Sequence, residues 1–340
     1  MQRQQCGFGH SQRGLIVRKG IVMAEPKKYY VGLDVGGTSV KMGLFTQDGT
    51  LVGKGSVPTP SIVDEAGYQA VTDGVADLVQ TSDASLGQVV GIGLAMPCPV
   101  PADGKVRLQA NIQLNEAGLK AALENLCPNA TVQFANDANA AAMGELWAGS
   151  GRDYQSLVFV TLGTGVGGGV VIDRHLVAGA VGAGGEIGHM SINPAETRVC
   201  GCGGKGHLEQ YASATGIVTS YKAECAARGA EPVALEGPSD SRSVFAAAKN
   251  GDEAAWAAID TMCDYLGRAL AIVSSVVDPE AFVLGGGTSN SADMFLDRLV
   301  ARYKSYALAV CTETPIEAAS LGNDAGIYGA AYVALQATEA

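Results

Sequence analysis

Positive charge is scarce in this chain: 23 lysines and arginines face 34 acidic residues, a formal net charge of −11. Beyond residue 28 no basic cluster occurs, which argues against nucleic acid or an anionic lipid surface as a partner. A phosphate ligand stays open, because backbone N–H groups and Mg²⁺ hold phosphate without a basic surface. Long apolar runs are missing as well. Hydrophobic residues fill 47% of the 340 positions, yet glycine interrupts the richest stretches, and none is clean enough to span a bilayer. A soluble chain with no membrane partner is expected. A disulfide framework is also lacking: Cys6, Cys98, Cys127, Cys225, Cys263 and Cys311 stand singly, most inside apolar segments, as reduced buried thiols do. This favours a reducing, cytoplasmic setting. Cys200 and Cys202 form the one close pair.

The first 28 residues carry Arg3, Arg13, Arg18, Lys19, Lys27 and Lys28 against Glu25 alone. Arg18 and Lys19 split the apolar letters there, so no signal-peptide core is present. Met23 offers a second start, and 1–28 read as a disordered extension or a start assigned too early.

Glycine is what the chain has in quantity, 46 residues of it. An apolar run at 29–33 leads into Asp34-Val35-Gly36-Gly37-Thr38, then a second run at 40–45, a turn at Gln47-Asp48-Gly49, and Leu51-Val52. Strand, glycine turn, strand, tight turn and strand make a meander. The same pattern recurs later. An apolar run at 157–162 meets Gly163-Thr164-Gly165, continues over 167–172, turns at Asp173-Arg174-His175 and resumes at Leu176-Val177. Two copies of a glycine-turn hairpin imply two similar lobes facing each other over a cleft. Glycine lets backbone N–H groups approach phosphate oxygens, and Thr38 and Thr164 add hydroxyls.

Elsewhere helix and strand alternate. Helices are expected over 61–80, 119–126, 138–147, 262–277 and 291–303, and strands over 89–94, 131–135 and 281–284. This pattern indicates α/β lobes with mixed sheets. Ligands in such folds gather at strand carboxyl ends and helix N-termini. Asn136-Asp137, Gly285-Gly286-Gly287 and the Asp34 turn all occupy that position. Asp137 suits a base that accepts a hydroxyl proton during phosphoryl transfer. An Asp before an alanine-rich helix equally suits an N-cap, and the residues alone leave both roles open.

The segments Leu33-Asp34-Val35-Gly36-Gly37-Thr38, Asn136-Asp137-Ala138-Asn139-Ala140, and Leu162-Gly163-Thr164-Gly165-Val166-Gly167-Gly168-Gly169 resemble the ROK family of sugar kinases and repressors. Within it they are most similar to bacterial glucokinases. Gly185-Glu186-Ile187-Gly188-His189, Cys200-Gly201-Cys202-Gly203 leading to Glu209, and Leu284-Gly285-Gly286-Gly287 extend the likeness from about residue 30 to about 335. The resemblance implies an α/β, two-lobed, actin-like ATPase fold of the hexokinase type. Residues 29–136 are expected to form the smaller lobe, completed by a C-terminal helix at 325–338, and 137–324 the larger one.

The resemblance also implies an ATP-dependent hexose kinase, glucose being the expected substrate, with N-acetylmannosamine and fructose as alternatives. It makes Asp137 the base, and Asn111, Asn136, Glu186, His189 and Glu209 the sugar ligands. Gly36, Gly37, Thr38, Lys41, Gly163, Thr164 and Gly165 fall to the ATP phosphates, and Gly285, Gly286 and Gly287 to the adenosine side, or to packing alone. Asp34 is the candidate for Mg²⁺ accompanying ATP, unless it is only a strand-end turn residue. A structural Zn²⁺ is implied at His189, Cys200, Cys202 and His207, where His207 replaces the family's third cysteine. Two reduced cysteines in a glycine loop are the plainer alternative. Cys98 stands where relatives often carry glycine, beside the expected sugar site. A DNA-binding repressor would need a helix-turn-helix domain ahead of the first glycine turn; the residues before Asp34 show no helical period. A homodimer is expected by resemblance.

Overall fold

The structure is a computed structural model and describes residues 27–101 and 114–339. The expected N-terminal extension, apart from Lys27 and Lys28, and Asn111 lie outside the described residues.

The first glycine meander forms β1 (Tyr29–Val35), β2 (Ser39–Thr46) and β3 (Leu51–Pro58), paired antiparallel. Helix α1 (Glu65–Thr81) then crosses over to β4 (Val89–Met96), and α2 (Glu116–Leu126) to β5 (Thr131–Asn136). Both returning strands lie parallel to β1, and the sheet runs β3-β2-β1-β4-β5. Helix α3 (Asp137–Ala148) starts directly from the end of β5.

The second meander supplies β6 (Leu157–Leu162), β7 (Val166–Ile172) and β8 (His175–Leu176). After a long loop come α4 (Glu209–Ala212), α5 (Ala214–Arg228), α6 (Ser241–Lys249) and α7 (Glu253–Val277). Strand β9 (Ala281–Gly285), helix α8 (Ala292–Tyr306) and strand β10 (Ile316–Ala318) complete a second sheet, and α9 (Ala325–Glu339) follows. That sheet runs β10-β9-β6-β7-β8, antiparallel within the meander and parallel for β9 and β10. The two sheets therefore repeat one topology, strand for strand.

Several boundaries move for physical reasons. The first helix begins at Glu65 rather than Ser61, because Asp64 caps it by accepting the Gly67 N–H while Ile62 bridges Leu114. Helix α7 starts at Glu253, capped by Asp252, well before 262; its alanine-rich first turns lack a strong apolar period. It stops at Asp278, which adopts φ 50° just before Pro279.

Helix α9 returns from the second sheet to pack on β1, β4 and α3. Small residues permit this approach: a Cβ on Gly93 would lie 1.8 Å from the Ala330 oxygen, and one on Gly329 1.5 Å from the Ala140 oxygen. Tyr30, Phe45, Met143, Leu146, Phe159 and Ile327 form a core joining both sheets through α3 and α9. Each such side chain contributes about 1.5–3 kcal/mol by leaving water. Among the described residues no helix is long and apolar enough to cross a membrane, and the seven described cysteines are free.

Candidate active site

Two cavities open along the junction of the sheets, and Asp137, Ala138 and Thr161 line both. One, of about 430 Å³, is bounded by Pro97, Cys98, Asn136, Gly163, Gly165, Glu186, His189 and Glu209. The other, of about 220 Å³, is bounded by Asp34, Lys41, Gly285, Gly286, Gly322, Asn323 and Gly326. Most residues singled out from sequence thus fall into two groups around one carboxylate. Gly36, Gly37, Thr38 and Gly287 line neither cavity, and Thr164 lines a third one behind Glu209.

Asp137 is the first residue of α3, and its neighbour Asn136 is the cap: Asn136 Oδ1 accepts the N–H groups of Ala138 and Asn139 at 3.0 and 3.1 Å. The Asn136 amide nitrogen donates to the Cys98 carbonyl at 3.3 Å, which ties the Pro97-Cys98 loop to the helix start. Asp137 Oδ1 accepts from Ala138 N at 2.8 Å, and among the described residues Oδ2 carries no hydrogen bond. The carboxylate is open to the cleft yet walled by protein. Burial pushes its pKa up, the Ala138 N–H opposes the rise, and the negative charges of Asp34 and Glu186 add to it. The same burial, with Asp137 nearby, pushes the Cys98 thiol up to about 11, so it stays protonated.

Asp34 and Lys41 are partners in the β1–β2 register, and their side chains form an ion pair at 3.7 Å. Burial raises the Asp34 pKa and the Lys41 ammonium opposes this. Lys41 Nζ also donates to the Asn323 carbonyl at 3.2 Å. The glycine turns are closed by Gly36 N to Ser39 O and Gly163 N to Gly165 O, each at 3.0 Å. Beyond the second turn, Thr215 Oγ1 donates to the Thr164 carbonyl at 3.1 Å.

Glu186 and His189 enter the larger cavity from the loop between β8 and α4, and Glu209 from the first position of α4. Glu209 Oε2 accepts the Val166 N–H at 3.1 Å, and His189 Nε2 lies 4.0 Å from Glu186 Oε2. The other imidazole nitrogen, Nδ1, is 3.9 Å from Cys200 Sγ. Cys202 Sγ is 3.3 Å from His207 Nδ1, and the four ligand atoms of His189, Cys200, Cys202 and His207 lie within 4.8 Å of one another. Bridges between Ser191 and His207 and between Val199 and Lys205 hold the loop in this shape. Two thiols and two imidazoles so gathered suit a tetrahedral ion, which spaces such ligands roughly 3.5 Å apart.

Sequence reading did not find Thr161, which pairs with Gly167 and Gly285 across the sheet and reaches both cavities. Nor did it find segment 319–326 as a cavity wall. Gly322-Asn323-Asp324 before a helix start was the available signal.

The ROK family model matches residues 30–337. The chain is 35% identical over 319 residues to a glucokinase of Halalkalibacterium halodurans, covering 91% of this chain and 96% of that one. A ROK hexokinase structure from Thermus thermophilus is similar at TM-score 0.77 and 30% identity, covering 92% of this chain and 99% of that one. A ROK glucokinase from Streptomyces griseus, solved with glucose and AMPPNP, is similar at TM-score 0.72 and 30% identity, covering 91% and 99%.

Proposed function

Since the chain belongs to the ROK family and has its two-lobed, actin-like fold, we propose that it transfers the γ-phosphoryl group of ATP to the 6-hydroxyl of a hexose, glucose foremost. The observation that carries the reading is the position of Asp137 on the wall shared by both cavities.

The larger cavity takes the sugar. Glu186, His189 and Glu209 offer acceptors and an imidazole to vicinal hydroxyls, a polar match that discriminates among sugars. Asn136 lines this wall too, with its oxygen committed to the helix cap. The smaller cavity and the glycine turns take the nucleotide. Gly163, Thr164, Gly165, Gly36, Gly37 and Thr38 attend the phosphates, Lys41 supplies a cation, and Gly285, Gly286 and Gly287 flank the adenosine. Asp34, a half-buried carboxylate paired only with Lys41 among the described residues, would hold hydrated Mg²⁺, which neutralises phosphate charge when bound. Asp137 Oδ2 accepts the proton of the 6-hydroxyl as the new O–P bond forms and the bond from the γ-phosphorus to the leaving oxygen breaks. The cleft walls, 29–136 with α9 on one side and 137–324 on the other, keep water from that oxygen.

His189, Cys200, Cys202 and His207 would hold a structural Zn²⁺, remote from phosphate. His189 then serves twice, Nδ1 facing the thiols and Nε2 facing the sugar cavity. We place the protein in the cytoplasm as a homodimer, on the family resemblance and the free thiols.

The test follows ADP release with Mg-ATP against glucose, N-acetylmannosamine, fructose and no sugar, with Asp137→Asn alongside. Turnover on glucose, lost in the variant, establishes substrate and base together. Turnover on another sugar moves the substrate, and none on any sugar sinks the reading.

A further inference from the structure

Glu145 is a carboxylate with no exposed surface, near the C-terminal end of α3. A buried charge demands compensation, and here no lysine or arginine supplies it among the described residues. Five neutral donors do instead. Oε2 accepts the Ser150 N–H and hydroxyl at 2.9 and 3.1 Å, and the Ser320 N–H and hydroxyl at 3.2 and 3.3 Å. Oε1 accepts the Leu321 N–H at 2.8 Å. The backbone is shaped around this group: a Cβ on Gly149 would stand 1.9 Å from Oε2.

The donors come from two places with different connections. Ser150 belongs to the turn that ends α3. Ser320 and Leu321 open the segment that continues as Gly322, Asn323 and Gly326 along the smaller cavity. In that segment the Asn323 carbonyl receives Lys41, and Gly326 is so close to Asp34 that a Cβ there would lie 2.8 Å from its carboxyl carbon. Glu145 sits eight residues after Asp137 on the same helix, about 12 Å along the axis at 1.5 Å per residue. One buried anion therefore clamps the wall of the nucleotide cavity to the helix that presents the base.

We infer that Glu145 is a positioning residue for the nucleotide: it fixes segment 320–326, and with it Asp34 and Lys41, relative to Asp137. The inference rests on assigning the smaller cavity to ATP, and predicts an effect confined to that side. In Glu145→Gln one donor must point at another donor, since the amide nitrogen accepts nothing. The KM for Mg-ATP should rise about tenfold, the scale of one lost bond to a charged group, while the KM for the sugar stays within about twofold.

Two milder variants keep the idea open to refutation should Glu145→Gln not fold. Ser320→Ala and Ser150→Ala each remove one hydroxyl donor from the same Oε2, but only Ser320 leads to the cavity. Steady-state constants and thermal midpoints of wild type and all three variants decide the matter. Support is a raised nucleotide KM in Ser320→Ala, and in Glu145→Gln where it folds, with Ser150→Ala like wild type despite a comparable midpoint. Equal effects of the two serine variants, or a lowered midpoint with nucleotide KM untouched, would overturn it. Calorimetry with Mg-ADP carries the same comparison without turnover. A wild type inactive on every sugar refutes the kinase reading, while its ADP affinity against that of the variants still judges Glu145; a wild type that binds no ADP refutes both.

Discussion

Asn136 Oδ1 caps the helix that Asp137 begins, and the carboxylate of Asp137 keeps one oxygen on the Ala138 N–H and, among the described residues, one without a hydrogen bond. The division of labour settles which of two adjacent side chains holds the backbone. Asp137→Asn should consequently fold as wild type does, with the cap intact, and lose about 10²–10⁴-fold in kcat, the range for a general base. Sugar binding by calorimetry should change little. A variant that unfolds, or one that retains kcat, contradicts the assignment.

The pH dependence has a definite sign. A base must be ionised to act, and burial raises the Asp137 pKa, so kcat/KM should climb with pH through a midpoint above the ordinary aspartate range. Stability runs the other way. With the folded pKa above the unfolded one, the folded state binds the extra proton, and stability falls as pH rises from the unfolded through the folded pKa. Above that window the ionised, desolvated carboxylate is a standing penalty. Because Asp137 is partly open to water, the penalty is small: Asp137→Asn should melt no lower than wild type at neutral pH, with any gain vanishing in acid, as measured by calorimetric scans at several pH values.

Much of the fold was legible because its signals are local. Short apolar runs punctuated by Asp-Gly and Gly-Thr-Gly turns announced both meanders, and the same turns brought Asp34 and Gly163 to strand ends. Asp137 was legible as a cleft residue for the same reason, at a strand-to-helix junction. What stayed hidden depends on distant pairing. Glu145, inside an alanine-rich helix, looks like an ordinary helix former until Ser320 and Leu321 arrive 175 and 176 positions later. Thr161 is one letter in an apolar strand, and only the β6–β7 and β6–β9 registers aim it at both cavities. Helices α4 to α6 were passed over for different reasons: α4 is a single turn, α5 has little apolar period, and α6 is amphipathic but only nine residues long.

Metal removal should act through the loop that carries Glu186 and Glu209. Protein stripped with a chelator should lose one equivalent of zinc by elemental analysis, melt lower, and show a raised sugar KM with the nucleotide KM near wild type. Cys202→Ala should do the same by removing one exposed ligand. Unchanged sugar affinity in zinc-free protein would disconnect the loop from the sugar cavity.

Asp34 and Lys41 neutralise each other across the β1–β2 register, so removing either leaves a charge facing the smaller cavity. Asp34→Asn should demand far more Mg²⁺ for half-maximal rate, by about tenfold or more given one lost charged contact. Lys41→Met should raise the KM for ATP while leaving the Mg²⁺ requirement closer to wild type. Rates measured over a Mg²⁺ titration at fixed ATP separate the two.

Helix α9 lies on β1 and β4, although the chain reaches it only after passing through the whole second sheet. Roughly 190 residues separate Asn136 from Ala325, and at about 5–20 residues per second a ribosome needs roughly 10–40 s to make them. Throughout that interval the first sheet has one face without its lid. The nascent chain is then a natural client for holding chaperones, and a ribosome stalled before residue 325 would leave a sticky, protease-sensitive fragment.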